Sequence, residues 1–265
     1  MSEKAKTLRV RFTGPFAWAK SSPAKKLTAA LGAENVRFVG GAVRDSLLRR
    51  PLKEIDLATT LPPGEVMERL NAARIRVVPT GIAHGTVTAI FKERTFEVTT
   101  LRHDVKTFGR RAEVAFHSDW QADAARRDFT INALFLSLDG AVHDYFGGLN
   151  DLKRGKVRFI GDPKQRIGED ALRILRFFRF HAWYGKGALD RIGYAACEAN
   201  LRLLDILSAE RVRDELLKLL ASPNPVPAAM AMGRIGIFRR LFAAKAIDFA
   251  ALKALVGIES ALGER

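Results

Sequence analysis

Three things are scarce in this chain of 265 residues: cysteine, long apolar runs and acidic side chains. Cys197 is the only cysteine, which excludes an internal disulfide and a cysteine-based zinc site and is typical of a reducing compartment. Although 48% of the residues are hydrophobic, no apolar run reaches the ~18 residues that a membrane-spanning helix needs. We therefore expect a soluble, cytoplasmic protein with no membrane partner.

The 29 acidic side chains are outnumbered by 44 basic ones, so the net charge is +15 and a polyanionic partner is expected. The excess is marked at the N-terminus, because residues 1–35 carry seven Lys or Arg and two Glu. We expect residues 1–23 to form a mobile basic arm. A mitochondrial targeting segment is the alternative interpretation of the same composition.

Hydrophobic periodicity divides the chain into a mixed α/β part and an all-helical part. Strands are predicted at 36–40, 55–58, 86–91, 95–100, 131–138 and 142–145, with helices at 24–31, 42–49 and 65–73. Residues 102–125 lack a clear period and are predicted to form a long polar loop. Beyond about residue 162 the pattern is helical, at 167–184, 201–207 and 209–221, with Ser208 as an N-cap, and again to residue 265. These patterns predict a head at 24–150, a helical neck at 151–222 and the start of a helical body at 223–265.

A glycine turn followed by two carboxylates is the strongest chemical signal. Gly40 and Gly41 let the backbone approach a phosphate closely, and Arg44 lies one helical turn further on. Glu54 and Asp56, at positions i and i+2 of a predicted strand, would point to one face. Paired carboxylates suit Mg²⁺, which keeps open positions for substrate phosphates. The sequence therefore predicts a catalytic metal site at Glu54 and Asp56, beside bound nucleotide phosphates.

Further candidates come from two later segments. Glu97 is a third catalytic carboxylate if its strand pairs beside residues 55–58. A polar cluster enters the next strand pair, in which arginines can clamp phosphates and a carboxylate can accept from ribose hydroxyls. The nucleotide-binding candidates of this cluster are Arg126, Arg127, Asp128 and Asn132.

Base recognition is the sharper interpretation of residues 169–176, which are predicted to lie on one helix. Cytosine and adenine both present an exocyclic amine beside a ring nitrogen, whereas uracil and guanine place a carbonyl there. A fixed carboxylate and guanidinium, Asp170 and Arg173, would accept the first pair of bases and reject the second. Glu169 and Arg176 complete the set, and an ordinary intrahelical ion pair is the alternative.

Together these segments resemble the bacterial-type (class II) tRNA nucleotidyltransferase and poly(A) polymerase family of the polymerase β superfamily. The resemblance covers roughly residues 24–240 and rests on five segments in order: 40–56, 126–133, 146–163, 169–173 and 208–212. It implies an α+β fold, with a head built on a mixed five-stranded sheet and a helical neck. It also implies Mg²⁺ dependence and extension of a tRNA 3′ end from CTP and ATP. In that family the loop at 102–125 corresponds to a mobile segment that helps the switch from C to A addition.

The sequence departs from the family pattern in two respects. Glu54 stands where the family usually has Asp, and one added methylene displaces the carboxylate by about a bond length. The chain also stops soon after the neck, which we interpret as a fragment or a minimal form. Two alternatives stay open: a poly(A) polymerase of the same family, and a non-catalytic RNA-binding or ribonucleoprotein subunit built on this fold.

Overall fold

The computed structural model describes residues 6–52, 54–108, 111–243 and 247–263, and only the backbone of 103–108 and 111–115. It divides the chain into two compact units, a head unit of Met1–Asn150 and a helical unit of Asp151–Arg265. The head unit mixes strands and helices and the helical unit contains no assigned strand among its described residues, so the α+β class is confirmed. No helix in the described part of the chain is long and apolar enough to cross a membrane.

One mixed sheet organises the head unit, and it has eight strands where the resemblance implied five. Its order is β1-β10-β9-β2-β3-β6-β5-β4, antiparallel throughout except for the parallel pair β3–β6. The strands are β1 (Lys6–Arg9), β2 (Val36–Val39), β3 (Asp56–Thr59), β4 (Arg76–Gly81), β5 (Thr86–Ile90), β6 (Thr95–Thr100), β9 (Leu134–Leu136) and β10 (Ala141–Asp144). The two edge strands, β1 and β4, were not predicted because strands with so few buried side chains show no apolar pattern.

The predicted mobile arm is wrong for its described part, which is built into the head. Strand β1 pairs with β10 from Lys6 opposite Asp144 onwards. A 3₁₀ segment, Gly14–Lys20, then buries Phe16. The indole nitrogen of Trp18 donates to Ser46 Oγ at 2.8 Å. Apolar side chains in this basic stretch therefore anchor it.

Residues 102–125 are also not the long loop that the sequence predicted. Strands β7 (Arg102–Phe108) and β8 (Arg111–Phe116) form a separate antiparallel pair, and α4 (Trp120–Ala125) follows. The side chain of Asp119 accepts from the amides of Gln121 and Ala122 and so caps α4. The error arose because an isolated two-stranded ribbon packs little against a core and therefore needs little apolar alternation.

Most of the other predicted head elements are confirmed with small shifts in their ends, but the strand predicted over 131–138 is shortened to β9, because Thr130–Asn132 form a 3₁₀ segment. Helices α1 (Ser22–Leu31), α2 (Gly41–Leu47) and α3 (Pro63–Ala72) lie where the 3.6-residue period put them. The hairpin β9–β10 turns at Gly140, whose φ of +85° favours glycine.

The helical unit begins within α5 (Gly148–Arg154), which contains the boundary between the two units at residues 150 and 151. Its further helices are α6 (Pro163–Glu169), α7 (Leu172–Tyr184), α8 (Arg191–Ala199), α9 (Ala209–Leu220), α10 (Val226–Arg234), α11 (Ile237–Phe242) and α12 (Phe249–Ala261). Phe177, Phe178 and Phe180 are buried core residues of α7. The prediction of one helix over 167–184 is wrong, because the chain breaks at Asp170, which is extended at φ −150° and ψ 107°.

Candidate active site

Strand register brings two of the predicted carboxylates together. In the parallel pair β3–β6, Asp56 lies directly beside Glu97, and on its other side it pairs with Val39, the residue before Gly40. Neighbouring strands are about 4.8 Å apart, so registered side chains on one face are within reach of a shared ligand. The sheet thus places the glycine turn, Asp56 and Glu97 next to one another.

Glu54 reaches the same place by a different route from the predicted one. Strand β3 begins at Asp56, so Glu54 lies before the strand and the alternation rule does not position it. It nevertheless lines a cavity of about 380 Å³ together with Asp56 and Glu97. The remaining lining residues are Leu52, Ile55, Glu93, Arg94 and Thr95.

The pKa of Asp56 is raised from 3.8 to about 6. Burial is the main cause, and the charges of Glu97 and then Glu54 add to it, while Arg127 opposes it. Ionised Asp56 is unfavourable here because it has lost hydration and is repelled by two neighbouring carboxylates. A bound cation would compensate for both effects, so the site favours one.

The donor set fits Mg²⁺ better than a metal held by protein ligands alone. Within the described residues, no three Asp, Glu, His or Cys side chains form a closed metal-binding group. Mg²⁺ is commonly held by one or two carboxylates and completes its shell with water and substrate phosphates. Asp56, Glu54 and Glu97 provide carboxylate oxygens around an open cavity, which is the arrangement that such an ion requires.

We expect Asp56 to make metal-free stability depend on pH. Because its folded pKa lies above the unfolded value, its stabilising contribution is complete below about pH 4 and is lost as pH rises through about 6. The wild type should therefore lose stability relative to Asp56→Asn as the pH rises. We expect the difference between their unfolding free energies to grow by up to about 3 kcal/mol between about pH 4 and 7. Denaturant titrations in chelator measure it, and added Mg²⁺ should shrink the difference at neutral pH. A difference that is constant with pH would contradict the burial of an ionised Asp56.

Glu54→Asp should lower activity rather than restore it. The Glu54 carboxylate already acts on Asp56 from its present backbone position, so a shorter side chain would withdraw it. A displacement of about 1 Å can cost up to about a hundredfold in metal-assisted catalysis, and we expect a loss of about tenfold. Rates of nucleotide incorporation at saturating Mg²⁺ measure this. A faster Glu54→Asp variant would show that Glu54 is a handicap.

The glycine turn has the conformation that a close backbone approach needs. Gly40 has φ +67° and ψ −123°, a region that disfavours any side chain. Its amide donates to the Leu134 carbonyl at 3.2 Å, so this amide is used within the head, and nucleotide binding at Gly40 stays a prediction. Gly41, the first residue of α2, is the other predicted backbone contact.

Arg44 is buried and held by partners within the head. Its guanidinium is buried, pairs with Asp45 at 2.8 Å and donates to Asn132 Oδ1 at 2.5 Å. Asn132 Nδ2 in turn donates to Asp128 Oδ1 at 2.9 Å. Arg44, Asn132 and Asp128 therefore form one chain of hydrogen bonds, which fixes the orientation of the Asp128 carboxylate behind the glycine turn.

Arg126 and Arg127 converge on a buried carboxylate that the sequence analysis missed. Asp123 pairs with Arg126 at 2.7 Å and with Arg127 at 3.0 Å. Asp123 comes three and four residues before the two arginines, a spacing in the sequence that could have revealed it. Arg127 also lies close to the glycine turn, since a Cβ on Gly40 would be 3.6 Å from its Nη1.

In the helical unit, Asp170 and Arg173 are each held by a different partner. The carboxylate of Asp170 accepts from Arg211 Nη2 at 2.9 and 3.1 Å and from the amide of Leu172 at 3.1 Å. The guanidinium of Arg173 pairs with Glu169 at 2.7 Å and donates to the Arg166 carbonyl at 2.7 Å. The predicted shared helical face is wrong, because the break at Asp170 separates the two residues into different elements.

Arg176 belongs to a neighbouring network rather than to this pair. It lies 3.6 Å from the buried carboxylate of Glu215, to which Arg179 also donates at 2.5 Å. Arg211 and Glu215 both lie on α9, at a spacing of four residues. The sequence predicted a helix here, but it gave no reason to assign either residue to a site.

Comparison with known proteins shows the family to which the chain belongs. Residues 36–158 match the model of the poly A polymerase head domain, and residues 193–248 match that of the probable RNA and SrmB-binding site of polymerase A. The CCA tRNA nucleotidyltransferase 1, mitochondrial, of Mus musculus is 49% identical over 208 residues, which are 76% of this chain and 47% of that protein. The chain belongs to the tRNA nucleotidyltransferase and poly(A) polymerase family.

Bacterial members and a solved structure extend the family likeness. The CCA-adding enzyme of Bacillus velezensis is 39% identical over 206 residues, or 77% of this chain and 51% of that protein. The crystal structure of the Bacillus stearothermophilus CCA-adding enzyme in complex with CTP has a TM-score of 0.73 at 34% identity, over 83% of this chain and 54% of that one. The chain spans about half the length of the curated relatives it matches.

The two family matches include some of the candidate residues and not others. Every head-unit candidate, from Gly40 to Asn132, lies within the head-domain match. Asp170 and Arg173 lie between the two matched ranges, so their assignment to base recognition depends on the geometry and on the resemblance. The family's polymerase β-like head is confirmed as the fold of residues 36–158.

Proposed function

We propose that this chain transfers nucleotides from CTP and ATP to the 3′ end of tRNA without a nucleic-acid template. One observation carries the proposal: Asp56, with its raised pKa, lies between Glu97 and the residue that precedes the glycine turn. This places a cation-binding carboxylate beside a phosphate-approach loop. The names of the relatives, CCA tRNA nucleotidyltransferase and CCA-adding enzyme, support the choice of tRNA and of CTP and ATP.

Asp56 and Glu54 would hold Mg²⁺, with Glu97 as the third carboxylate of the pocket. When bound, the ion activates the attacking 3′-hydroxyl and neutralises the leaving pyrophosphate. The side chains hold the reacting groups in place and keep negative charge concentrated where the ion is needed. Ile55, the residue between the two carboxylates in sequence, is 2% exposed and anchors this stretch of the backbone in the core.

The phosphate and ribose groups are assigned to the other side of the glycine turn. Gly41 and Arg127 would contact the triphosphate, and Arg126 would add positive charge from the same Asp123-anchored pair. Asp128 would accept from the ribose hydroxyls. Arg44 and Asn132, the other predicted nucleotide-binding residues of these segments, would act by holding Asp128 in position.

Asp170 and Arg173 would select cytosine and adenine in the helical unit. The Asp170 carboxylate accepts from an exocyclic amine and the Arg173 guanidinium donates to the adjacent ring nitrogen. Arg211 and Glu169 fix these two side chains, so a base that needs the opposite hydrogen-bond pattern cannot reorient them. Rejection then follows from unpaired polar groups.

The direct test incubates the protein with tRNA that lacks its 3′ end, Mg²⁺, and labelled CTP or ATP. The proposal expects incorporation of both nucleotides. Extension with ATP alone would indicate the poly(A) polymerase alternative. Absence of incorporation together with tight, salt-sensitive RNA binding would support the non-catalytic alternative and overturn the enzyme proposal.

A further inference from the structure

Asp123 joins three donors that belong to different parts of the head unit. It lies on α4, is 1% exposed, and accepts from Arg126 Nε at 2.7 Å and Arg127 Nη2 at 3.0 Å. Its Oδ1 also accepts from the backbone amide of Arg102 at 3.4 Å. Arg102 is the first residue of β7, so one buried carboxylate binds both the arginine pair and the start of the β7–β8 ribbon.

Arg127 is held in a narrow setting. The aromatic ring of Phe135 lies 5.2 Å from its guanidinium carbon, and Gly40 lies against its Nη1. It is close enough to Asp56 to oppose the rise in that residue's pKa. Asp123 holds Arg127 in this setting by accepting two hydrogen bonds, from Nε and Nη2.

The electrostatics of Asp123 agree with this role. Burial alone would raise the pKa of Asp123, but the charges of Arg127 and Arg126 outweigh it and the pKa falls below the usual range. The carboxylate is therefore ionised at neutral pH, and the pair Asp123–Arg127 is a buried, charge-assisted contact that is costly to break.

The root of the ribbon is fixed by the same residue and by two further bonds. The side chain of Arg102 donates to the His84 carbonyl, and the His117 amide donates to the Leu101 carbonyl at 3.1 Å. Displacement of Arg102 would remove one of the three groups that orient the Asp123 carboxylate. The orientation of the Asp123 carboxylate and the position of Arg127 are thus linked through direct contacts.

We propose that Asp123 is a positioning residue that keeps Arg127 directed at the glycine turn and couples it to the root of the β7–β8 ribbon. The inference rests on the proposed nucleotide transfer at that turn. Without the Asp123 charge, Arg127 would lose its fixed direction, and triphosphate binding at the glycine turn would weaken.

A double-mutant cycle tests the positioning role. The variants are Asp123→Asn, Arg127→Met and both together, measured for CTP affinity and for KM and kcat in incorporation. We expect Asp123→Asn to raise the CTP dissociation constant and KM about 10- to 100-fold with a much smaller change in kcat. In the Arg127→Met background the same substitution should change them by less than about threefold. Equal effects in both backgrounds would overturn the proposal.

Two further measurements separate positioning from folding. Asp119→Ala removes the cap of α4 without touching either arginine, so it should reproduce the stability loss of Asp123→Asn but not its KM. In hydrogen exchange, bound CTP should slow the Arg102 amide in the wild type and not in Asp123→Ala. Equal slowing in both proteins would overturn the coupling to the ribbon.

The outcomes also distinguish this inference from the proposed function. If the wild type binds CTP and incorporates it while the cycle is additive, only the role of Asp123 fails. If the wild type binds CTP without transferring it, the affinity cycle still decides the role of Asp123 while the enzyme proposal fails. If the wild type does not bind CTP, both proposals are overturned.

Discussion

Asp56→Asn is expected to lower nucleotide incorporation by about a thousandfold. A bound metal contributes several kcal/mol of transition-state stabilisation, and each 1.36 kcal/mol is a factor of ten in rate. Asn has the same shape as Asp and can still ligate weakly, but it removes the charge that attracts the ion. Single-turnover incorporation at saturating CTP measures the chemical step without contribution from product release.

Misfolding does not explain such a loss, because Asn at position 56 should stabilise the metal-free head at neutral pH. The raised pKa shows that ionised Asp56 is unfavourable in the fold without a cation. Glu93→Gln is the matched control, since Glu93 is an exposed carboxylate that lines the same pocket outside the proposed metal set. It should change the rate by less than about threefold. Similar losses in both variants would contradict a specific role for Asp56.

Arg173→Lys is expected to reduce discrimination between CTP and UTP by about 10- to 100-fold. Lysine keeps the positive charge that pairs with Glu169, but it lacks the planar fork that fixes the direction of two N–H donors. The lost selectivity corresponds to about 1–3 kcal/mol of hydrogen-bond mismatch. The measurement is the ratio of kcat/KM for CTP to that for UTP.

Arg213→Lys provides the control for this substitution. Arg213 lies on α9 and forms an exposed ion pair with Asp214, so it shares the chemistry but not the proposed contact with a base. Its nucleotide ratio should equal that of the wild type. If Arg173→Lys also leaves the ratio unchanged, Arg173 is a structural partner of Glu169 and base selection lies elsewhere.

The sequence was sufficient to predict the buried part of the head and the position of the carboxylates proposed as catalytic. Asp56 and Glu97 lie in strands whose apolar side chains are buried, and the condition placed on Glu97, a strand beside β3, is met by the register. Gly40 was identifiable because few residue types tolerate its positive φ. These features depend on residues that are close together in the sequence, so the local sequence pattern predicts them.

The features that were not predicted depend on contacts distant in sequence. Strand β1 is fully exposed and exists because β10 offers an edge to pair with. The break at Asp170 is stabilised by Arg211, which is 41 residues away. Periodicity alone continues a helix through such a point, so Asp170, the residue proposed for base recognition, was placed in the wrong element.

The packing of the buried arginines was not predictable for a related reason. Arginine beside a glycine turn suggests a phosphate contact, but Arg44 is buried and bonded to Asp45 and Asn132. Through Asn132 it holds the Asp128 carboxylate in position. Arg127, which sequence gave no reason to separate from Arg126, is the one that lies against Gly40. Only the packing distinguishes an arginine that binds from one that supports.

Sequencing the 3′ ends of extended tRNA tests the central claim most directly. A tRNA that lacks its terminal nucleotides is incubated with the protein, Mg²⁺, CTP and ATP, and individual product ends are read. The account predicts that C and A are added, that UTP and GTP are not used, and that Asp56→Asn gives unextended ends under the same conditions. Unextended ends with the wild-type protein, or equal extension by Asp56→Asn, would contradict it.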